Sequence, residues 1–100
     1  MATNIILTNY SKSVGQNPVQ IIPPGLRGLS YLRIANVSPV NGPTLWYSRY
    51  LGSSVAANLA GAIALAPGQY EEFKGTDSIP LNPVWAVAPN GTVALTAEAG

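Results

Sequence analysis

The sequence predicts an all-β fold, a single β-sandwich or jelly-roll-like domain of about seven or eight short strands. Three observations carry that expectation. Short apolar or β-branched runs recur along the chain, and no helical period of apolar residues extends beyond about ten positions. Ten glycines and nine prolines stand at the joints between those runs. The length of 100 residues allows one core and no second domain; a chain of this mass folds to roughly 5,400 Å² of surface and buries about 64% of what it exposes unfolded. Parallel α/β folds lack the helices they would need.

Taken in order, Ile5, Ile6 and Leu7 form a first strand candidate, and residues 11–18, with Gly15 and Asn17-Pro18, read as a polar loop. Residues 19–22 form a second strand, stopped by Pro23-Pro24-Gly25, which cannot continue a ladder. The strongest strand spans 29–37, where Leu32 and Ile34 alternate with Tyr31, Arg33 and Ala35. Asn41-Gly42-Pro43 turns the chain into residues 44–50, which carry Leu45, Trp46, Tyr47 and Tyr50. Residues 53–60 fit either a short helix capped by Ser54 and ended by Gly61, or a long surface loop. Residues 62–66 lead to Pro67-Gly68, suited to the two central positions of a type II turn, and 69–74 follow as a strand. Asn90-Gly91 is a hairpin signal that joins a strand at 84–88 to one at 92–97. In the latter Val93, Leu95 and Ala97 share one face.

Composition removes whole classes of function. Five Lys and Arg against four Asp and Glu give a net charge of +1, too weak a field to capture nucleic acid or an anionic membrane surface. There is no Cys, so no disulfide, thiol nucleophile or zinc-thiolate site. There is no His, which excludes every Ser-His-Asp and Cys-His arrangement and the commonest metal ligand. Glu71 and Glu72 are adjacent and point to opposite faces of a strand, so they make no paired-carboxylate site. Neither an enzyme nor a cofactor is expected. The longest apolar run, residues 59–67, is about half of what a membrane span requires. The start, Met-Ala-Thr-Asn-Ile-Ile-Leu, lacks the basic region of a secretory signal, so synthesis in a cytoplasm is expected. Charged residues make up only 9% of the chain, a composition that invites association.

Several motifs form a recognisable series. Leu32, Ile34, Asn36 and Ser38 match the later positions of an R-x-x-L-x-I-x-N-x-S pattern, and Ser30 or Arg27 lies near the place of its leading Arg. An aromatic strand, Leu45-Trp46-Tyr47-Ser48, follows. Then come Leu65-Ala66-Pro67-Gly68 and the acidic-aromatic run Gln69-Tyr70-Glu71-Glu72-Phe73. A closing pair covers 83–88 and 91–98. Over residues 27–100 this order resembles small β-sandwich proteins of tailed-bacteriophage virions, of the capsid-decoration or head-fibre-base type. The resemblance implies a decoration or cement protein on the outer capsid surface that stabilises the head. Its alternative is the base of a head fibre or spike, or a tail-associated domain that binds carbohydrate. The implied partners are the major capsid protein and further copies of the chain, a trimer being favoured, with no nucleic acid and no membrane. The implied location is the exterior of the virion, after synthesis in the bacterial host.

Residues 1–26 then read as an N-terminal arm with the first strands, available for inter-subunit contact, and 27–100 as the sandwich core. Candidate interface residues are Ile5, Ile6 and Leu7 in the arm, Arg27 and Arg49 as bidentate donors to acidic partners, and the aromatics Trp46, Tyr47 and Tyr50. On a strand Trp46 and Tyr50 share one face while Tyr47 and Arg49 share the other. One of these pairs is expected in the core, and the other outward, against protein or a sugar.

Overall fold

The computed structural model describes residues 6–25, 28–75 and 81–100 and forms two antiparallel sheets. The strands are β1 (Thr8–Asn9), β2 (Lys12–Val14), β3 (Val19–Ile22), β4 (Tyr31–Asn36), β5 (Leu45–Ser48), β6 (Ile63–Leu65), β7 (Tyr70–Lys74), β8 (Val84–Val87) and β9 (Val93–Ala99). A 3-10 turn at Gly52–Ser54 follows β5. Sheet 1 has the order β1-β9-β4-β7, with β2 also on β9, and sheet 2 has the order β3-β8-β5-β6. The all-β sandwich expected from the sequence is the fold observed.

The short strands β1 and β2 behave as one edge strand in a single register, with Thr8 opposite Ala99, Lys12 opposite Leu95 and Val14 opposite Val93. Where they are interrupted, the Tyr10 N–H donates to the Ala97 carbonyl at 2.8 Å, but the Ala97 N–H donates to the Ser11 hydroxyl at 3.1 Å. A side-chain oxygen there replaces a backbone one. Counted this way the sandwich has four strands in each sheet, and every connection except β5 to β6 changes sheet. That interleaving is a jelly roll, two Greek keys folded over one another.

Alternation supplies the core. Leu32 and Ile34 of β4 point inward beside Val93, Leu95 and Ala97 of β9, and they meet Ile21, Leu45, Tyr47, Leu65, Val84 and Ala86 of sheet 2. The Pro67-Gly68 turn forms as the sequence predicts: Gly68 has φ +87° and the Gln69 N–H donates to the Ala66 carbonyl at 2.9 Å.

Four sequence expectations change. Ile6 and Leu7 precede β1 and are exposed, because β9 ends at Ala99 and offers them no further ladder; Ile5 lies outside the described residues. Within the expected loop at 11–18, Lys12–Val14 is a strand, since an edge strand needs only one buried side chain, here Val14. Asn90-Gly91 joins strands of different sheets and so makes an inter-sheet crossing rather than a hairpin. The sandwich also takes in strands on both sides of residue 26, with Val14, Ile21 and Ile22 in its core. Of the two readings for 53–60, the structure takes the irregular one, beginning in the 3-10 turn.

Each free edge is blunted against pairing with another chain. Lys12 faces inward on β2 and reaches across to sheet 2, its ammonium donating to the Gln20 carbonyl at 2.9 Å. Glu71 is an inward-facing charge on β7, and Lys74 closes the same strand. Pro18 and Pro23 bracket β3, whose register shifts between Gln20 and Ile22. The edge strand β6 is only 3 residues long.

Candidate protein interface

Strand directions give the sandwich two unlike ends. At one end β3, β5, β7 and β9 finish and β4 and β8 begin. Its backbone is tied together around the last residue: Ser30 and Tyr31 N–H groups both donate to the Gly100 carbonyl, at 2.8 and 2.9 Å, and Gly75 N–H donates to Ser30. On the sheet 2 side, Gly25 N–H donates to the Leu81 carbonyl at 2.8 Å and Asn82 Nδ2 donates to the Arg49 carbonyl at 3.1 Å.

Large apolar side chains stand exposed at this end: Ile6 at 91%, Tyr50 at 70%, and Leu7 and Leu81 at just over two fifths. Val37, Val40 and Tyr70 are exposed toward the opposite end; scattered exposed apolar residues are ordinary, and the four at this end make a candidate contact surface. The arm and the aromatic segment, far apart in sequence, are thus brought to the same end. Leu81 joins them, a residue whose only mark in the sequence is a large apolar side chain between two prolines, Pro80 and Pro83. Arg27 lies outside the described residues.

The aromatic segment divides differently from the expectation. Strand β5 stops at Ser48, so strand alternation does not extend to Arg49 and Tyr50. Tyr47 is fully buried, Trp46 lies on the outer face of sheet 2 opposite Val87, and Tyr50 projects past the strand end. Trp46 and Tyr50 therefore do not form one platform. The Arg49 guanidinium sits 5.4 Å from the Phe73 ring centroid and 5.7 Å from that of Tyr50, a cation–π arrangement that orients the exposed tyrosine.

The outer face of sheet 1 collects most of the described charge. Register places Glu98 and Glu72 on either side of Arg33, on neighbouring strands. Arg33 stacks over Tyr70 at 4.8 Å from its centroid. Glu72 instead takes the Tyr31 hydroxyl at 2.6 Å and the Lys74 ammonium at 3.2 Å. These bonds act on both titrations: the hydrogen bond to Glu72 pushes the Tyr31 phenol up to about 12, and the same bond, then Lys74, holds the Glu72 carboxyl below its ordinary value.

A carboxyl with a folded pKa below its unfolded one stabilises the fold above the ordinary value of about 4.3 and loses that contribution as pH falls through the folded value. Glu72→Gln is therefore expected to lower the unfolding temperature slightly at pH 7, with the gap to the parent closing below about pH 4. Thermal scans across pH 2.5–7 check this, and a gap independent of pH refutes it.

Among the described residues no cluster of three or more His, Cys, Asp or Glu side chains could hold a metal ion. No helix among them is long and apolar enough to cross a membrane. The arrangement offers apolar contact at one end and a balanced set of charges on one face. Comparison with protein-family models, curated proteins and solved structures finds no match to this chain.

Proposed function

We propose that this chain is a structural module of a tailed-phage head, a decoration or cement protein that binds the major capsid protein from outside and does no chemistry. The observation that carries the reading is the group of exposed apolar side chains, Ile6, Leu7, Tyr50 and Leu81, gathered at one end of a domain with very little charge. The resemblance of residues 27–100 to virion β-sandwich proteins supplies the identity of the assembly. A jelly roll is compatible with that role and with many others, so the fold itself does not select it.

Attachment by this end leaves the charged face of sheet 1 beside the neighbouring copy. Each copy that bridges two capsid subunits stabilises the lattice by mass action, and a specific contact of this kind buries about 1,600 Å². A trimer at local threefold positions repeats one contact three times. The alternative, the base of a head fibre or a tail-associated domain binding carbohydrate, lost its two-residue platform when Trp46 and Tyr50 separated.

The deciding measurement is copy number, by gel densitometry of purified particles against the major capsid band. A ratio of one, or another simple lattice fraction, supports decoration. A handful of copies, or none, overturns it, the former in favour of the fibre base. In particle-binding assays Leu81→Glu with Tyr50→Glu is expected to weaken attachment at least about tenfold while leaving the unfolding midpoint in place, since a buried unpaired charge at a contact costs more than 1.4 kcal/mol.

A further inference from the structure

The segment 49–62, between β5 and β6, is held to the body of the protein in an unusual way. Apart from the Arg49 carbonyl at its start, which accepts from Asn82 Nδ2, its backbone hydrogen bonds stay inside it: Ser54 N–H to the Leu51 carbonyl at 3.0 Å, Val55 N–H to Gly52 at 3.2 Å, and Ala62 N–H to Leu59 at 3.0 Å. At its root the Tyr50 and Leu51 N–H groups both donate to the Ser48 hydroxyl, at 3.0 and 3.1 Å. Beyond that root it contributes one buried side chain, Val55, and its 3-10 turn packs on β3 and β8. Gly52, Asn58 and Gly61 all have positive φ, at 56°, 60° and 93°. Reversals of this kind on both sides of Val55 give the segment two places to bend.

The Ser48 hydroxyl at that root points to the outer face of sheet 2, on the row that holds Trp85. Gln20, Trp85 and Ser48 form one row across β3, β8 and β5 on the outer face of sheet 2, and Val87 and Trp46 form the next. The face carries no charge, and Ser48 and Val87 are buried although they point away from the core. Sheet 2 thus has buried side chains on its outer face as well, beside the root of a segment whose one buried side chain is Val55.

We infer that residues 49–62 are a strap that lifts off sheet 2 while the sandwich stays folded, uncovering Trp85. Local opening is favoured where few buried contacts and no sheet hydrogen bonds oppose it. Lifting the strap breaks none of its internal bonds, and the stapled root at Ser48 keeps it in place for reclosure. The strap does not depend on the proposed role in a virion.

The test uses the full chain in a Trp46→Phe background, so that fluorescence reports Trp85 alone. Val55→Ser removes the segment's one buried apolar side chain, and Gly61→Ala, whose new Cβ has Leu51 as its nearest neighbour at 3.5 Å, strains the second bend at φ +93°. Both are expected to raise acrylamide quenching of Trp85 at least about twofold, with far-UV circular dichroism and cooperative unfolding retained. Hydrogen exchange in the parent is expected to be at least about tenfold faster for the strap's bonded amides at Ser54, Val55 and Ala62 than for Val84–Val87, and insensitive to low denaturant. Quenching unchanged in both variants overturns the strap. So does exchange of those three amides in step with β8, which would make the segment part of the global unit.

Discussion

Asn36→Ala is expected to destabilise the fold by about 4 kcal/mol, against a total stability of about 5–15 kcal/mol for a domain of this size. Asn36 sits at the end of β4 with no exposed surface. Its Nδ2 donates to the Pro43 carbonyl at 3.1 Å and to the Leu65 carbonyl at 2.9 Å, while its Oδ1 accepts the Ser38 N–H at 3.0 Å. One side chain therefore ties sheet 1 to the end of β6 in sheet 2 and shapes the chain leaving β4. Its backbone takes part in the Pro67-Gly68 turn, donating to Gln69 at 3.0 Å and accepting from Gly68 at 2.8 Å. Alanine leaves two carbonyls and an N–H without partners where water enters poorly, at about 1–3 kcal/mol each before relaxation. Asn36→Asp does no better, because a carboxylate has no N–H to give the two carbonyls. Urea unfolding reads the result as a fall in midpoint at constant slope. A loss under about 1 kcal/mol would show that the loops at that end rearrange freely around the missing amide.

Tyr47→Ala is expected to cost a similar amount, about 4 kcal/mol, for a different reason, and its contrast with Tyr47→Phe isolates the cause. Tyr47 is the largest fully buried side chain, and truncating it opens a cavity between the sheets. Its hydroxyl, however, has no partner among the described residues and is shut off from solvent, as is Nε of Arg49. Burial pushes the phenol up to about 12; the nearby Glu71 carboxylate adds to the rise and Arg49 opposes it. Deleting an unpaired buried hydroxyl removes a desolvation cost, so Tyr47→Phe is expected to be neutral or to stabilise by up to about 1 kcal/mol. The same urea titration separates the two variants. A loss of more than about 1 kcal/mol in the phenylalanine variant would mean that the hydroxyl is bonded after all.

The candidate interface shows how far local pattern carries. The sequence marked Ile6, Leu7 and Tyr50 by their chemistry, apolar residues near a terminus and an aromatic next to an arginine. It did not mark Leu81, which becomes part of the same surface only because the Gly25–Leu81 hydrogen bond and the Asn82–Arg49 hydrogen bond gather loops from distant positions. Trp46, Tyr47, Arg49 and Tyr50 look like one cluster in the sequence, yet they end in the outer face of a sheet, the core, a ring stack and solvent.

Other elements divide in the same way. The alternation around Leu32 and Ile34, the Pro67-Gly68 turn and the absence of helices were legible, because each depends on the conformation of a few adjacent residues. Asn90-Gly91 shows the limit: the dipeptide specifies a turn, and a turn serves a hairpin or a crossing equally well. Lys12–Val14 has almost no strand signal and is a strand because β9 lies beside it. Local pattern establishes an all-β chain, most of its strands, and which residues of each strand share a face. The tertiary structure alone decided which face meets the other sheet, the jelly-roll order, and which exposed residues stand together. Those depend on pairings between residues far apart in the chain, and a local pattern carries no record of its distant partner.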